Sequence, residues 1–126
     1  MTGVSSERGQ STLELALCLP VLAFVAALLV QVGVIVLDQT RLWHAAREAA
    51  RVAVVQTDPA EAEAAARSSG LAPVDVAIDP PTGQRRMGEP LTVSLSYKPS
   101  GGVPLVESLF GGITLRASAT MRIEQP

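Results

Sequence analysis

Few side chains in this sequence stand where their types and spacing can do chemistry. His44 is the only histidine and Cys18 the only cysteine. A base, a nucleophile or a metal site needs a second titratable or coordinating group at a fitting separation. His44 has neither a histidine nor a cysteine near it in the chain and falls in a helical stretch, which fits a surface or packing residue. Cys18 lies inside an apolar run. That excludes an intramolecular disulfide and a cysteine metal cluster, and leaves a small packing side chain. No glycine loop of the phosphate-cradling kind occurs, nor a Ser-His-Asp set in a plausible context. The expectation is a protein that is not an enzyme, with no metal, no cofactor and no small-molecule substrate.

The residues that do pose a chemical question are Gly9, Gln10 and Glu14. Glu14 breaks into the start of a long apolar run, five residues past Gly9. A carboxylate at the mouth of a membrane span costs a few kcal/mol unless it is paired or held at the interface. Proteolysis after Gly9 would create a partner for it, an ammonium group on Gln10. Between packed subunits, the carboxylate of one chain would pair with the ammonium of the next and favour one axial stagger, setting register more than adding stability. Glycine suits such a cut, because a peptidase cleft must take the backbone closely and Gly presents no side chain.

These residues are carried by an apolar helix. The chain is 126 residues long, 48% hydrophobic and only 3% aromatic. The excess lies in Ala, Val and Leu, mostly in the first half, which describes a membrane segment joined to a modest domain. From Leu15 the sequence reads LALCLPVLAFVAALLVQVGVIVL, with Pro20, Gln31 and Gly33 as interruptions but no charge. A span needs about 20 residues at about 1.5 Å each, so the run is long enough. It passes straight into DQTRLWHAAREAARVAVV, where Leu42, Ala45, Ala46, Ala49, Val52 and Ala53 recur at helical spacing and Arg41, Arg47, Glu48 and Arg51 take the other side. One helix from near Ser11 to near Gln56 is expected, half in the membrane and half out. Pro20 removes a backbone donor from its first turns. Trp43 has two readings, an interfacial indole or a contact with the domain. The net charge of -2 provides no basic stripe, so nucleic acid is not an expected partner.

Beyond the long helix, Asp58 is placed as an N-cap, Pro59 as the first helical residue, and Glu61 at capping-box spacing. A short helix over AEAEAAARSS follows, closed by Gly70. After Pro73 the period changes to two. Val74, Val76 and Ile78 form one face of a strand; Leu91, Val93, Leu95 and Tyr97 form another. Ile113, Leu115, Ala117, Ala119, Met121 and Ile123 form a third, and PPTGQRRMGEP reads as a turn or loop. The fold class is α+β: a long N-terminal transmembrane helix continuing into a small domain with a short second helix and a three-stranded antiparallel sheet, apolar on one face. The apolar segment 103–110, between glycines, is either a short helical turn closing the core or an exposed patch for a partner or the membrane surface.

With these residues in view, a resemblance emerges. Gly9, a Glu five positions on, Pro20 six residues after it and a long apolar helix look like the processing site of type IV prepilins. The wider pattern RGQSTLELALCLPVL, followed by HAAREAARVAV, resembles the TadE family, the minor pilins or pseudopilins of tight-adherence (Tad/Flp) pilus systems. The closing strand ITLRASATMRIE is similar to that family's usual ending. The resemblance implies a pilin-like fold and cleavage between Gly9 and Gln10 on the cytoplasmic side by a membrane prepilin peptidase. It also implies assembly through Glu14 with other Tad pilins and pilus assembly components, in pilus assembly or surface adhesion. The expected organisation is a leader over 1–9, a transmembrane helix over 10–37, an extramembrane extension over 38–57 and the small domain over 58–126, the last outside the cytoplasm. Charge points the other way: Arg41, Arg47 and Arg51 follow the span while only Arg8 precedes it. That asymmetry supports a membrane-bound regulator with a cytoplasmic domain. A further alternative is an uncleaved single-span anchor whose domain binds a cell-envelope partner.

Overall fold

The computed structural model describes residues 5–100 and 104–124. The first residues of the expected leader, the glycines before the apolar segment together with Val103, and the last two residues lie outside the described residues. So do the side chains of residues 5–8, 104 and 107.

A single helix, α1, runs from Ser5 to Val55. At about 1.5 Å per residue its 51 residues reach about 77 Å. It begins six residues earlier than the expected Ser11. Glu7, Arg8 and Gln10 are good helix formers, and extending an established helix is far easier than starting one, so the polar stretch joins it. Pro20 is accommodated inside α1. The helix stops where Asp58 precedes a proline: that residue is forced out of the helical region, and its φ of -75° and ψ of 116° are extended.

The second helix, α2, covers Pro59–Arg67. The Asp58 carboxylate accepts from the Ala60 amide at 2.9 Å, while the Glu61 amide donates to the Asp58 carbonyl at 3.3 Å. The cap therefore falls on the second helical amide instead of the third, which the capping-box spacing anticipates. At the far end the Ser68 hydroxyl donates to the Ala65 carbonyl at 2.6 Å. Gly70, with φ of +79°, then turns the chain away in a conformation that suits glycine.

Three strands follow: β1 (Val74–Asp79), β2 (Pro90–Tyr97) and β3 (Leu115–Arg122), with α3 (Pro104–Phe110) between the last two. They form an antiparallel sheet in the order β1-β2-β3. Val76 pairs with Leu95, and Leu95 with Ala117, so the apolar members of all three alternations share one face. On the other face the hydroxyls of Thr92 and Thr120 lie 2.8 Å apart across two strands. The α+β expectation and the three alternating strands are what the structure contains. Pro104–Phe110 of the apolar segment form a helical turn, as one of its two readings has it, with Val106 fully buried but Leu105 and Leu109 exposed.

The core lies between the sheet and one stripe of α1. Leu42, Ala45, Ala46, Ala49, Ala50 and Ala53 are buried against Leu91, Val93, Leu95 and Ala117, with Ala62 and Ala66 of α2 closing the side. Arg41, Arg47, Glu48 and Arg51 face outward. Alanine on the helix side lets the backbone come close to the sheet, where larger side chains from the strands fill the space. The helix also covers the β3 edge. The Gln39 amide group donates to the Arg116 carbonyl at 2.9 Å, and the Glu124 amide to the Val54 carbonyl at 3.3 Å. An exposed strand edge is an invitation to aggregate, and α1 removes it.

Because the helix–sheet gap is sized for alanine, Ala49→Leu should destabilise the domain by about 1–3 kcal/mol. Ala64→Leu, on the exposed side of α2, should stay within about 0.5 kcal/mol. Thermal unfolding of the full chain in detergent micelles, followed by circular dichroism, compares the two.

Candidate processing and assembly site

Gly9, Gln10 and Glu14 all lie on the first turns of α1 and all are exposed. A glycine inside a helix costs about 1 kcal/mol relative to alanine. Nothing in the chain's own packing calls for it here, since a side chain built at Gly9 would meet no atom within 4 Å. Gln10 and Glu14 are one helical turn apart and on one side of the helix. Among the described residues Glu14 forms no ion pair; those present join Arg41 to Asp38 and Arg67 to Glu63. Leu13, Leu15, Leu17 and Leu19 around it are open. The structure thus places the three residues together at the start of the apolar run, and among the described residues neither packing nor an ion pair meets them.

Trp43 and His44 sit on α1 beyond that run, both exposed. Trp43 shares a groove of about 580 Å³ with Ser96, Arg116 and Ser118 of the sheet. It borders the sheet while 42% of its surface stays open, which fits both of its readings. His44 lines shallow surface beside Thr40 and Arg47, with no second imidazole or thiol. No group of three or more metal-ligating side chains is found among the described residues.

One residue of structural weight escaped the sequence reading. Arg85, in the stretch read as a loop, is only 8% exposed. Its Nη1 donates to the carbonyls of Ala53 (3.2 Å) and Gln56 (3.4 Å), and its Nε to that of Pro80 (3.4 Å). The last carbonyls of a helix have no partners within it and carry the negative end of its dipole. Since α1 has no basic residue in its own last turn, Arg85 supplies the missing cation from 30 residues away. The glycines flanking it, Gly83 and Gly88, have φ of +96° and +86°, which lets the loop fold back under the helix end. The hint in the sequence was a helix without a basic last turn and a glycine-bounded loop with two adjacent arginines.

Taken together, a helix long and apolar enough to cross a bilayer, continuous with a small α+β domain, has the form of a single-pass membrane protein. Residues 9–51 match the family model for TadE-like protein, the family that the sequence resembles. The match begins at Gly9 and ends within α1, so the small domain lies beyond it. No curated protein matches the chain, and no solved structure does.

Arg85→Met removes the cation while keeping most of the apolar stem. Hydrogen bonds to a charged group contribute about 1.5–3 kcal/mol, so the variant should unfold several degrees lower. Arg85→Lys should recover only part of the loss, because an ammonium lacks the planar fork that reaches several carbonyls at once. Differential scanning calorimetry in micelles reads both.

Proposed function

We propose that this chain is a minor pilin or pseudopilin of a Tad-type pilus, made with a leader over residues 1–9. A prepilin peptidase would cut it between Gly9 and Gln10, and it would then act in pilus assembly or surface adhesion. The observation that carries the reading is the pair Gly9 and Glu14 at the start of the family-matched segment. One is a glycine that the described fold does not need; the other is an acid in an apolar helix with no ion pair among the described residues.

Each has a use in that reading. Gly9 admits the peptidase to the backbone, and its low helix propensity eases the local unwinding that cleavage requires. Cleavage turns the Gln10 amide into an ammonium. A neighbouring subunit's Glu14, in a bundle of low dielectric, then has an opposite charge to meet at one axial offset. The bilayer surrounds α1 from Gln10 to about Leu37, residues 38–57 extend the helix, and residues 58–126 form a domain outside the cytoplasm. The partners are the peptidase, other Tad pilins or pseudopilins and the assembly components. Arg41, Arg47 and Arg51 run against that topology by the positive-inside rule, and the family resemblance is what overrides it.

Intact mass of the protein from cells with and without the prepilin peptidase is the first test. A mature chain beginning at Gln10 is expected only when the peptidase is present; a full-length chain in both would leave the uncleaved anchor in its place. Gly9→Leu should abolish processing. Glu14→Leu should be processed nearly as well as the parent, yet be lost from sheared pilus or assembly fractions by tenfold or more, and wild-type incorporation would remove the role assigned to Glu14. A reporter fused after Pro126 should be active only outside the cytoplasm.

A further inference from the structure

The direction of β3 tells which end of the domain faces the span. Arg116 is tied to Gln39 and Glu124 to Val54, so β3 runs alongside α1 in the same sense. The start of β3 and the end of β2 therefore point toward the apolar run, whereas the loop carrying Arg85 and the residue Glu124 point away. The connection between those two strand ends is α3, which also touches α1. From Arg116 back to Ile113 an extended chain covers about 10 Å, equal to about seven residues of helix. That puts the end of α3 about level with Val32, inside the uncharged run that continues to Leu37.

The burial of α1 agrees. Its covered stripe does not end at Leu42 but continues through Ile35 to Gln31, which is only 4% exposed, and on to the half-buried Leu28 and Ala27. The domain thus overlaps the apolar run by several residues. On the remaining sides of the same turns Leu29, Val30, Val32, Val36 and Leu37 are open.

α3 is built for that depth. Val106 is fully buried and fixes it to the domain, while Leu105 and Leu109, four residues apart and so on one face, are 79% and 65% exposed. The stretch from Pro99 to Ile113 carries a single formal charge, Glu107. Two open leucines on a turn whose one formal charge is Glu107, level with the apolar helix surface that lipid would surround, are continuous with that surface.

We propose that α3 is a second membrane contact. Leu105 and Leu109 insert into the boundary between headgroups and acyl chains of the bilayer that α1 crosses, and the domain rests on that surface. This depends on α1 spanning the membrane, not on cleavage at Gly9.

Site-directed spin labelling of the full chain tests it. Cys18→Ser removes the native thiol, and Leu109→Cys, Leu105→Cys or Gln84→Cys each introduces one site for a nitroxide. The parent labelled at Cys18, which is exposed within the span, serves as the depth reference. Each protein is reconstituted into vesicles of phosphatidylcholine and phosphatidylglycerol. Collision with oxygen, which concentrates in lipid, is compared with collision with a water-soluble nickel chelate. The oxygen-to-nickel ratio at positions 105 and 109 should be several-fold above that at position 84 and below that at Cys18. A ratio equal to that at position 84 overturns the proposal. Low collision with both reagents overturns it too, since a protein surface, such as a second copy, would then be the occupant. If Cys18 itself reads as aqueous, the membrane span fails and the pilin reading with it; a deep Cys18 with aqueous 105 and 109 overturns α3's role alone. Unfolding temperatures matching the parent's are the check that each labelled variant keeps its fold, and two independent leucine positions guard against loss of one.

Discussion

Everything in this molecule hangs on one helix having to satisfy two solvents. Over its first half α1 shows side chains as apolar as lipid tails; over its second half it must bury one stripe and wet the other. The stripe is made of alanine almost throughout, from Ala45 to Ala53, and this choice decides the rest. Alanine contributes little apolar area by itself. It allows the helix backbone to lie close to the sheet, so that Leu91, Val93 and Leu95 of the central strand make the contacts that larger helical side chains would otherwise make. A small sheet with one apolar face has few other ways to be covered.

The ends of that contact are held by polar groups that answer backbone demands. Gln39 meets a carbonyl of the β3 edge near the span, and the amide of Glu124 meets a carbonyl of α1 at the other end. Arg85 gathers the last carbonyls of the helix from below. Its cost is visible as well. Its Nη2 is buried with no hydrogen-bond partner among the described residues, a penalty of about 1–3 kcal/mol for such an atom. The arginine is retained despite it because the helix end has no other cation. Exposed ion pairs such as Arg67 with Glu63 matter less, since solvent screens them.

Much of this was legible in the residues because it rests on periodicity. The alternation of Leu91, Val93, Leu95 and Tyr97 can bury one face only as a strand, and the spacing of Leu42 through Ala53 can do so only as a helix. What periodicity does not carry was missed or displaced. Arg85 recognises backbone carbonyls some 30 residues distant, and no side-chain pattern announces such a partner. The extra turns of α1 before Ser11 come from propagation, not from any apolar signal. In α3 the buried Val106 is as apolar in sequence as its open neighbours Leu105 and Leu109, and only the packing of the turn on the domain separates them. At the candidate site, Gly9 and Glu14 stood out because each breaks a local rule. Among the described residues the fold offers no internal reason for either.

The pairing of β3 with α1 over nearly its whole length has a mechanical consequence. The helix is continuous from the apolar run to the part that carries the sheet, so the domain is geared to that run like a flag to its pole. Each residue of helix turns the chain by about 100° and advances it by about 1.5 Å. The direction in which the outer face of the sheet looks is therefore fixed by the rotation of α1 about its own axis. Rotation or axial displacement of the apolar half of the helix is therefore coupled to the half that carries the sheet, through continuous helix.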